Sequence, residues 1–341
     1  MKGGLNMQQT IHLQKRFWVI LPMLFLLGSI FLTPECSLAQ EKKTLLRMGA
    51  LPSGSGWYFY ATQIATVVSR HSPKVEISAR ETTGTRENAI RMGKNEMEMG
   101  MGEALVSYEC YRGIGRFKDK PIANHRLLWN SATTYMHWSV TKDSGIKTFE
   151  ELEGKLFNPS TIGGGGEYIT EKVFQVLGFK PKIYRAKLSD AAEAVKDGRI
   201  IGFSYNGTLP TPIFVEVHAF RPIRILSLRE DQVKKAIEAY PFFVRKVIPA
   251  NTYKDAPEAV TLGLYSNFTA NKEIPDDVIY EVVKTFWAHL PEIAKAFPLV
   301  ANTKPEETVF SATAPLHKGA LKYYREIGLK IPKEAIPPEA Q

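Results

Sequence analysis

The sequence predicts an α/β fold of two lobes, each a mainly parallel sheet flanked by helices, with a cleft between them. Three observations predict it. One construction occurs twice: a short strand, a Pro-Ser turn rich in glycine, and an amphipathic helix. Residues 45–50 run into Pro52-Ser53-Gly54-Ser55-Gly56 and a helix opening at Trp57-Tyr58. Residues 154–158 run into Pro159-Ser160-Thr161-Ile162 and four glycines, with a helix opening at Glu167-Tyr168. Each unit then continues through strand, helix and strand, the order of βαβ units. Finally, two extended segments, 135–141 and 260–266, bracket the second unit and read as paired crossings between lobes.

In the first unit, Ala61, Ile64, Ala65 and Val68 share one face of a helix over 57–70, which Pro73 ends. Residues 75–79 alternate as a strand, and Thr83-Gly84-Thr85 is a polar turn. A short helix over 86–92 is closed by Gly93. A strand over 97–101 reaches Gly102-Glu103, where a helix over 104–111 begins. In the second unit a helix over 167–177 is closed by Gly178, a strand spans 182–185, and Asp190-Ala191-Ala192-Glu193 reads as a capping box. That helix is closed by Gly198, before a strand over 200–205. The tail, 276–298 and 314–328, is largely helical and is expected to pack on the first lobe.

The first residues read as a targeting segment. Lys2, Lys15 and Arg16 form a basic start, 17–32 is an uncharged apolar run, and Ser37-Leu38-Ala39 offers small residues for cleavage. The run is interrupted by Pro22 and Gly28 and falls short of the roughly 20 residues a membrane span prefers. Around Cys36, Thr33-Pro34-Glu35 lacks the residues of a lipidation site. The expected organisation is therefore a signal peptide over 1–39, lobe I over 40–135 and 260–341, lobe II over 136–259, and export to the periplasm. Cys110 is then the one remaining cysteine, so no internal disulfide forms. The net charge of +9 comes from scattered Lys and Arg without a basic stripe, which speaks against nucleic acid.

The glycine-rich turns carry the strongest chemical signal. They remove the Cβ that blocks close approach, and the helix N-termini beside them add partial positive charge. Four should lie on carboxyl ends of strands: 53–56, 83–85, 102–103 and 160–166. Nucleotide motifs do not fit: the third Gly of a dinucleotide fingerprint is missing, and no Gly-Lys-Ser/Thr follows a Gly-rich loop. Ser55 is not in a nucleophile elbow. The seven His are dispersed with no pair at metal-ligand spacing, so neither metal nor cofactor is expected.

Backbone donors of Ser53, Gly54, Ser55, Gly56, Ser160, Gly164, Gly165 and Gly166 are expected to grip an anionic or polar head. Thr83, Gly84, Thr85 and Asn88 add the second turn. Trp57, Tyr58, Trp129, Tyr135, Tyr168 and Tyr205, with Asn206 beside the last, supply aromatic walls and hydrogen bonds. Some of Phe59, Tyr60 and Trp138 pack in the core instead. His137 either touches a ligand from the crossing strand or is a satisfied structural His. Glu103 either pairs with a cationic group or serves as a helix N-terminal charge.

These segments resemble the TAXI-type solute receptors of tripartite ATP-independent periplasmic (TRAP) transporters. Gly56-Trp57-Tyr58-Phe59 is similar to the family's Gly-x-Tyr-Tyr/Phe, and Thr83-Gly84-Thr85-Arg86-Glu87-Asn88 to its Gly-Ser/Thr-x-x-Asn. Glu98-Met99-Gly100 stands where the family has Asp-hydrophobic-Gly. Lys142-Asp143-Ser144-Gly145-Ile146 with Leu152-Glu153-Gly154-Lys155, then Val195-Lys196-Asp197-Gly198-Arg199, Tyr240-Pro241-Phe242 and Ile274-Pro275-Asp276-Asp277 follow in order. The resemblance implies a type II periplasmic-binding-protein fold that closes on a small carboxylate-containing solute. It further implies a monomer that docks to the membrane subunits of a transporter and catalyses nothing. Three departures point away from glutamate as the solute. Ile162 and four glycines replace Gly-Ser-Gly-Thr, Trp57 replaces a small residue, and Glu103 stands where Gln is common. An acid there repels a second carboxylate or welcomes an amine. The aromatic surplus points to a larger or flatter ligand. Two other readings share the sequence: a periplasmic sensor component, and a lyase or dehydratase using Glu103 with His137.

Overall fold

A computed structural model describes residues 42–51, 53 and 56–341. The expected signal peptide lies outside the described residues, as do Pro52, Gly54 and Ser55 of the first turn. Among the described residues no helix is long and apolar enough to cross a membrane.

The first unit runs β1 (Thr44–Gly49), α1 (Gly56–His71), β2 (Val75–Arg80), α2 (Thr85–Gly93), β3 (Met99–Glu103) and α3 (Ala104–Arg112). Helix α1 buries Tyr60, Ala61, Ile64, Ala65, Val67 and Val68 on one face, as its spacing dictates. It stops before Pro73, and Ser72 Oγ accepts from the backbone of Lys74 and Val75 to turn the chain into β2. The long β4 (His125–Thr141) leads into the second unit: β5 (Leu156–Asn158), α4 (Gly165–Leu177), β6 (Lys182–Ile183), α5 (Leu188–Lys196) and β7 (Gly202–Gly207). Gly113 and Gly178 close α3 and α4 in the left-handed region, at φ 64° and 80°. After α6 (Pro212–Phe220), β8 (Ile223–Ile225), α7 (Glu230–Ala239) and β9 (Phe243–Ile248), the chain returns along β10 (Ala259–Asn271). Helices α8 (Asp276–Ala288), α9 (Leu290–Ala296), α10 (Pro305–Phe310) and α11 (Lys318–Glu326) complete it.

The strands form one sheet in the order β2-β1-β3-β10-β4-β7-β5-β6, with β8 on β4 and β9 on β10. Pairing is parallel within the βαβ units (β1 with β2 and β3, β5 with β6 and β7). It is antiparallel wherever β4 or β10 takes part. The parallel sheets expected from the sequence are thus confined to the two wings. The two crossing strands joining them run in opposite directions because one leaves lobe I and the other returns.

Separate cores make the two lobes. The first gathers Leu46, Met48, Val68, Trp129, Phe268, Phe286 and Tyr324, and α8 and α11 pack there as the tail was expected to. The second gathers Met136, Trp138, Phe149, Phe174 and Leu264, and the third Val195, Phe203, Phe214 and Ile225. Membership changes along β4 between Ala132 and Met136, and along β10 between Tyr265 and Phe268. Register shifts in the β4–β10 pairing fall within that stretch of β10, between Tyr265 and Asn267, and just past it, between Phe268 and Thr269. One local expectation changes. The capping box at Asp190 is absent: α5 opens at Leu188 behind Lys187, without a side-chain cap, which leaves Asp190 in the first turn. Ala104 and Leu105 of α3 join the second core and Tyr108 packs edge-on against Phe242, while Val106 and Cys110 pack with Ala89 and Phe117, so α3 is shared between the two sides.

Candidate functional site

A cavity of about 180 Å³ opens between the lobes, lined by Leu51, Trp57, Thr85, Met101, Gly102, Glu103, Thr134, Asn206 and Ser266. The sheet explains why these meet. Strand β3 ends at Glu103, which pairs in register with Ser266 at the middle of β10. Strand β7 of the other wing ends at Asn206-Gly207 against β4. Carboxyl ends of strands from both wings therefore point at one place, the crevice where open α/β sheets bind ligands. Helix α2 opens into it at Thr85, α3 at Ala104 and α4 at Gly165. Each brings N–H groups without intrahelical partners.

Glycine is required at Gly102, since a Cβ there would collide with Asn267 Oδ1. At Gly166 a Cβ would sit 2.6 Å from Ser160 Oγ. Ser160 is itself strained, a buried non-glycine residue at φ 117°, a conformation of about 1–3 kcal/mol that clusters at functional sites. Asn158 holds it there, its Oδ1 accepting from Ser160 N at 3.0 Å.

Charge in the cleft centres on Glu103. Burial pushes its carboxyl above the usual carboxylate range, and the nearby Arg116 guanidinium pulls the other way. Asn206 Nδ2 reaches Glu103 Oε1 from lobe II at 3.5 Å. A Cβ on Gly165 would lie 3.8 Å from Arg116 Nη2 and 3.9 Å from Glu103 Oε2, so α4 opens directly onto this pair. Arg116 stacks 4.7 Å from the Tyr168 ring centroid, and Tyr168 donates to Glu109 Oε1 at 2.6 Å. Asn206 Oδ1 is buried and unpartnered. Unpaired buried acceptors are destabilising, so this carbonyl suits a ligand's N–H or O–H.

The structure divides the sequence candidates. Brought together at the cleft are Trp57, Thr85, Glu103, Gly165, Gly166, Ser160 and Asn206, with Tyr168 at its edge. Trp57 is half-buried and rests on Phe297, ring centroids 5.6 Å apart. Gly56 opens α1 beside the same Phe297, and Gly84 precedes α2. Tyr58 is half-buried against the first core.

Other candidates are spent on the fold. Ser53 N and Oγ both donate to Glu81 Oε1, at 2.9 and 2.8 Å. Thr83 N and Oγ both donate to Glu87 Oε2, at 2.7 and 2.6 Å. Asn88 Nδ2 serves the carbonyls of Gly49, Ala50 and Met101, knotting β1 to β3. Gly164 N donates to Thr161 O, and Gly163 N to Glu167 Oε2, so only the glycines after them offer free donors. Trp129 is a core residue rather than a cleft wall, stacked between Phe268 and Phe286 at 5.0 and 4.1 Å.

Tyr135 lies one residue from Thr134 on β4 and therefore faces the other side of the sheet. There it lines a second cavity of about 360 Å³ with Lys246, Leu209 and Glu307. Tyr205 packs against the third core. His137 is fully buried, stacked on Phe214, with Tyr135 O and the Tyr253 hydroxyl each 2.9 Å from its ring nitrogens. Burial lowers its pKa to about 4. It is not among the residues lining the Glu103 cavity, so the acid–base pair open to the sequence is not assembled.

Sequence reasoning missed Thr134, Ser266, Glu109 and Arg116. The first two are pinned to the opposite crossing strand, Thr134 Oγ1 to Leu264 O at 3.3 Å and Ser266 Oγ to Ala132 O at 2.9 Å. Ser266 is the last residue of the crossing read over 260–266 and Thr134 lies just before the one read over 135–141, so neither stood out. Glu109 and Arg116 gave no signal: Glu109 lies within α3 and Arg116 in the turn after it, and both are brought to the cleft by contact with Tyr168 of α4.

The fold is similar to that of a TctC solute-binding protein from Polaromonas, at TM-score 0.53 and 12% identity, covering 83% of this chain and 97% of that one. XAC2383 from Xanthomonas citri bound to ATP matches at TM-score 0.49 and 8% identity, covering 84% and 100%. The periplasmic aliphatic sulphonate-binding protein SsuA from Escherichia coli matches at 0.48 and 12%, covering 88% and 92%. Residues 48–328 match the model of the NMT1-like family, and the chain belongs to that family.

Proposed function

We propose that this chain is an extracytoplasmic solute-binding protein. It acts as a monomer, closes on a small carboxylate-containing solute, and delivers it to the membrane subunits of a TRAP-type transporter. The observation that carries the reading is the cavity between the lobes, walled by Thr85 and Glu103 from one side and Asn206 from the other. Likeness of fold to the Polaromonas solute-binding protein supports binding, and the ordered TAXI resemblance supports the TRAP partner. The basic start and apolar run of the first 39 residues support export through a cleaved signal peptide.

In this reading the solute's carboxylate lies against the N-termini of α2 and α4, where N–H groups and helix dipoles favour negative charge. Glu103 and the unpartnered Asn206 Oδ1 take a hydrogen-bond donor on the same molecule, such as an ammonium. Trp57 covers the body. The cavity's volume of about 180 Å³ suits a small solute. Lobe closure follows from binding the closed state better than the open one. Native mass spectrometry of the purified protein tests this: a bound molecule released unchanged supports it, and turnover of that molecule overturns it.

A further inference from the structure

Away from the cleft, on the outer side of lobe I, three potential metal ligands converge. His71 ends α1, His289 lies at the junction of α8 and α9, and Glu292 stands in the first turn of α9. His71 Nε2 lies 2.9 Å from Glu292 Oε2, and His289 Nδ1 lies 3.9 Å from the same oxygen. The three ligand atoms all fall within 4.8 Å of one another. The two imidazoles stack, centroids 3.7 Å apart at 11°.

Ligands about 2.1 Å from a tetrahedral ion stand roughly 3.4 Å apart, so an ion fits once one imidazole turns out of the stack to aim its lone pair at the shared point, with ligand atoms moving by up to about 1.4 Å at side chains that are exposed or half-buried. Arg70 Nη1 holds Glu292 Oε1 at 2.7 Å, leaving Oε2 to face the imidazoles. Hydrogen-bonding of a ligating carboxylate by an outer group is the usual support of a metal site. Nitrogen donors with one carboxylate suit zinc or copper(II), and an all-oxygen preference excludes magnesium and calcium. Linear spacing hid the site in part: His289 and Glu292 stand at i and i+3, but His71 is 221 residues from Glu292.

We infer that His71, His289 and Glu292 form a binding site for one divalent ion of the zinc or copper type, which clasps the end of α1 to the α8–α9 corner. Because the ligands come from distant segments, the ion stabilises the folded chain by binding it alone. The test is zinc chloride titrated into untagged, chelator-stripped protein, followed by equilibrium dialysis and thermal unfolding. The result expected is one zinc per chain and a Tm that rises with zinc. In His289→Ala and in His71→Ala the affinity falls more than about tenfold, while Tm without zinc stays near that of the parent. No zinc retained at 100-fold excess over protein would overturn the inference, leaving a His–carboxylate contact only. Stoichiometric zinc that survives both substitutions would overturn it too. Magnesium chloride serves as the control and should not raise Tm.

Discussion

The hydroxyl of Tyr168 donates to Glu109 Oε1 at 2.6 Å, joining α4 of lobe II to α3 of lobe I. Burial and the Glu109 carboxylate both push the phenol's pKa up, so the proton stays on oxygen. Arg116 lies across the same ring. In the proposed closure mechanism this contact forms as the lobes come together. Tyr168→Phe should weaken solute affinity roughly five- to tenfold, the value of one hydrogen bond to a charged group discounted for partial exposure. Calorimetric titration with the co-purified solute would measure it. An unchanged affinity would remove the contact from the closure mechanism.

Glu103→Gln should change the pH dependence of stability. The folded protein raises this carboxyl's pKa, mainly by burial. Stability from such a group is present below the unfolded pKa and lost as pH rises through the folded one. The variant should therefore match the parent in Tm near pH 4 and exceed it at pH 7. A parent that is the more stable of the two at pH 7 would mean that Arg116 outweighs burial.

Asn88 separates a fold role from a ligand role. Asn88→Ala leaves three strand-end carbonyls without their side-chain donor. A stability loss on the order of 2–4 kcal/mol is expected, with solute affinity unchanged where the protein is folded. Denaturant unfolding gives the first quantity and titration the second.

Much of the fold was legible because it rests on local pattern. The α1 face from Ala61 to Val68, the glycine stops at Gly178 and Gly198, and the apolar crossings that became β4 and β10 all follow from period and punctuation. The region after Gly207 was not legible. There β8 and β9 are short strands whose place depends on edges supplied by β4 and β10. The site was half legible for a similar reason. Glycine turns announce where backbone approaches a ligand. They do not reveal that Glu81 and Glu87 have already taken the donors of Ser53 and Thr83. Nor does an aromatic residue announce whether it faces a core, as Trp129 does, or a cleft, as Trp57 does.

Acid should unfold the protein through its buried histidines. Burial lowers His125 to about 3, and His137 and His317 to about 4. His317 Nδ1 also accepts from Gly319 N at the start of α11, a bond that protonation breaks. With folded values below the unfolded one, stability is full above about pH 6.5 and falls as pH drops toward 4. Unfolding in that window should take up close to three protons from these groups, read from the slope of unfolding free energy against pH. A flat slope between pH 6 and 5 would contradict their burial as neutral rings.

The central claim is that the cavity beside Glu103 and Asn206 encloses the solute. Gly165 tests it cleanly, because a Cβ there meets only ordinary contacts at 3.8 and 3.9 Å and a larger side chain projects into the junction. Native mass spectrometry of the parent and of Gly165→Leu, purified side by side, is the direct measurement. The expected result is one small molecule bound to the parent, released unchanged, and absent from a folded Gly165→Leu. The same molecule bound equally to both would place the binding site elsewhere and contradict the account.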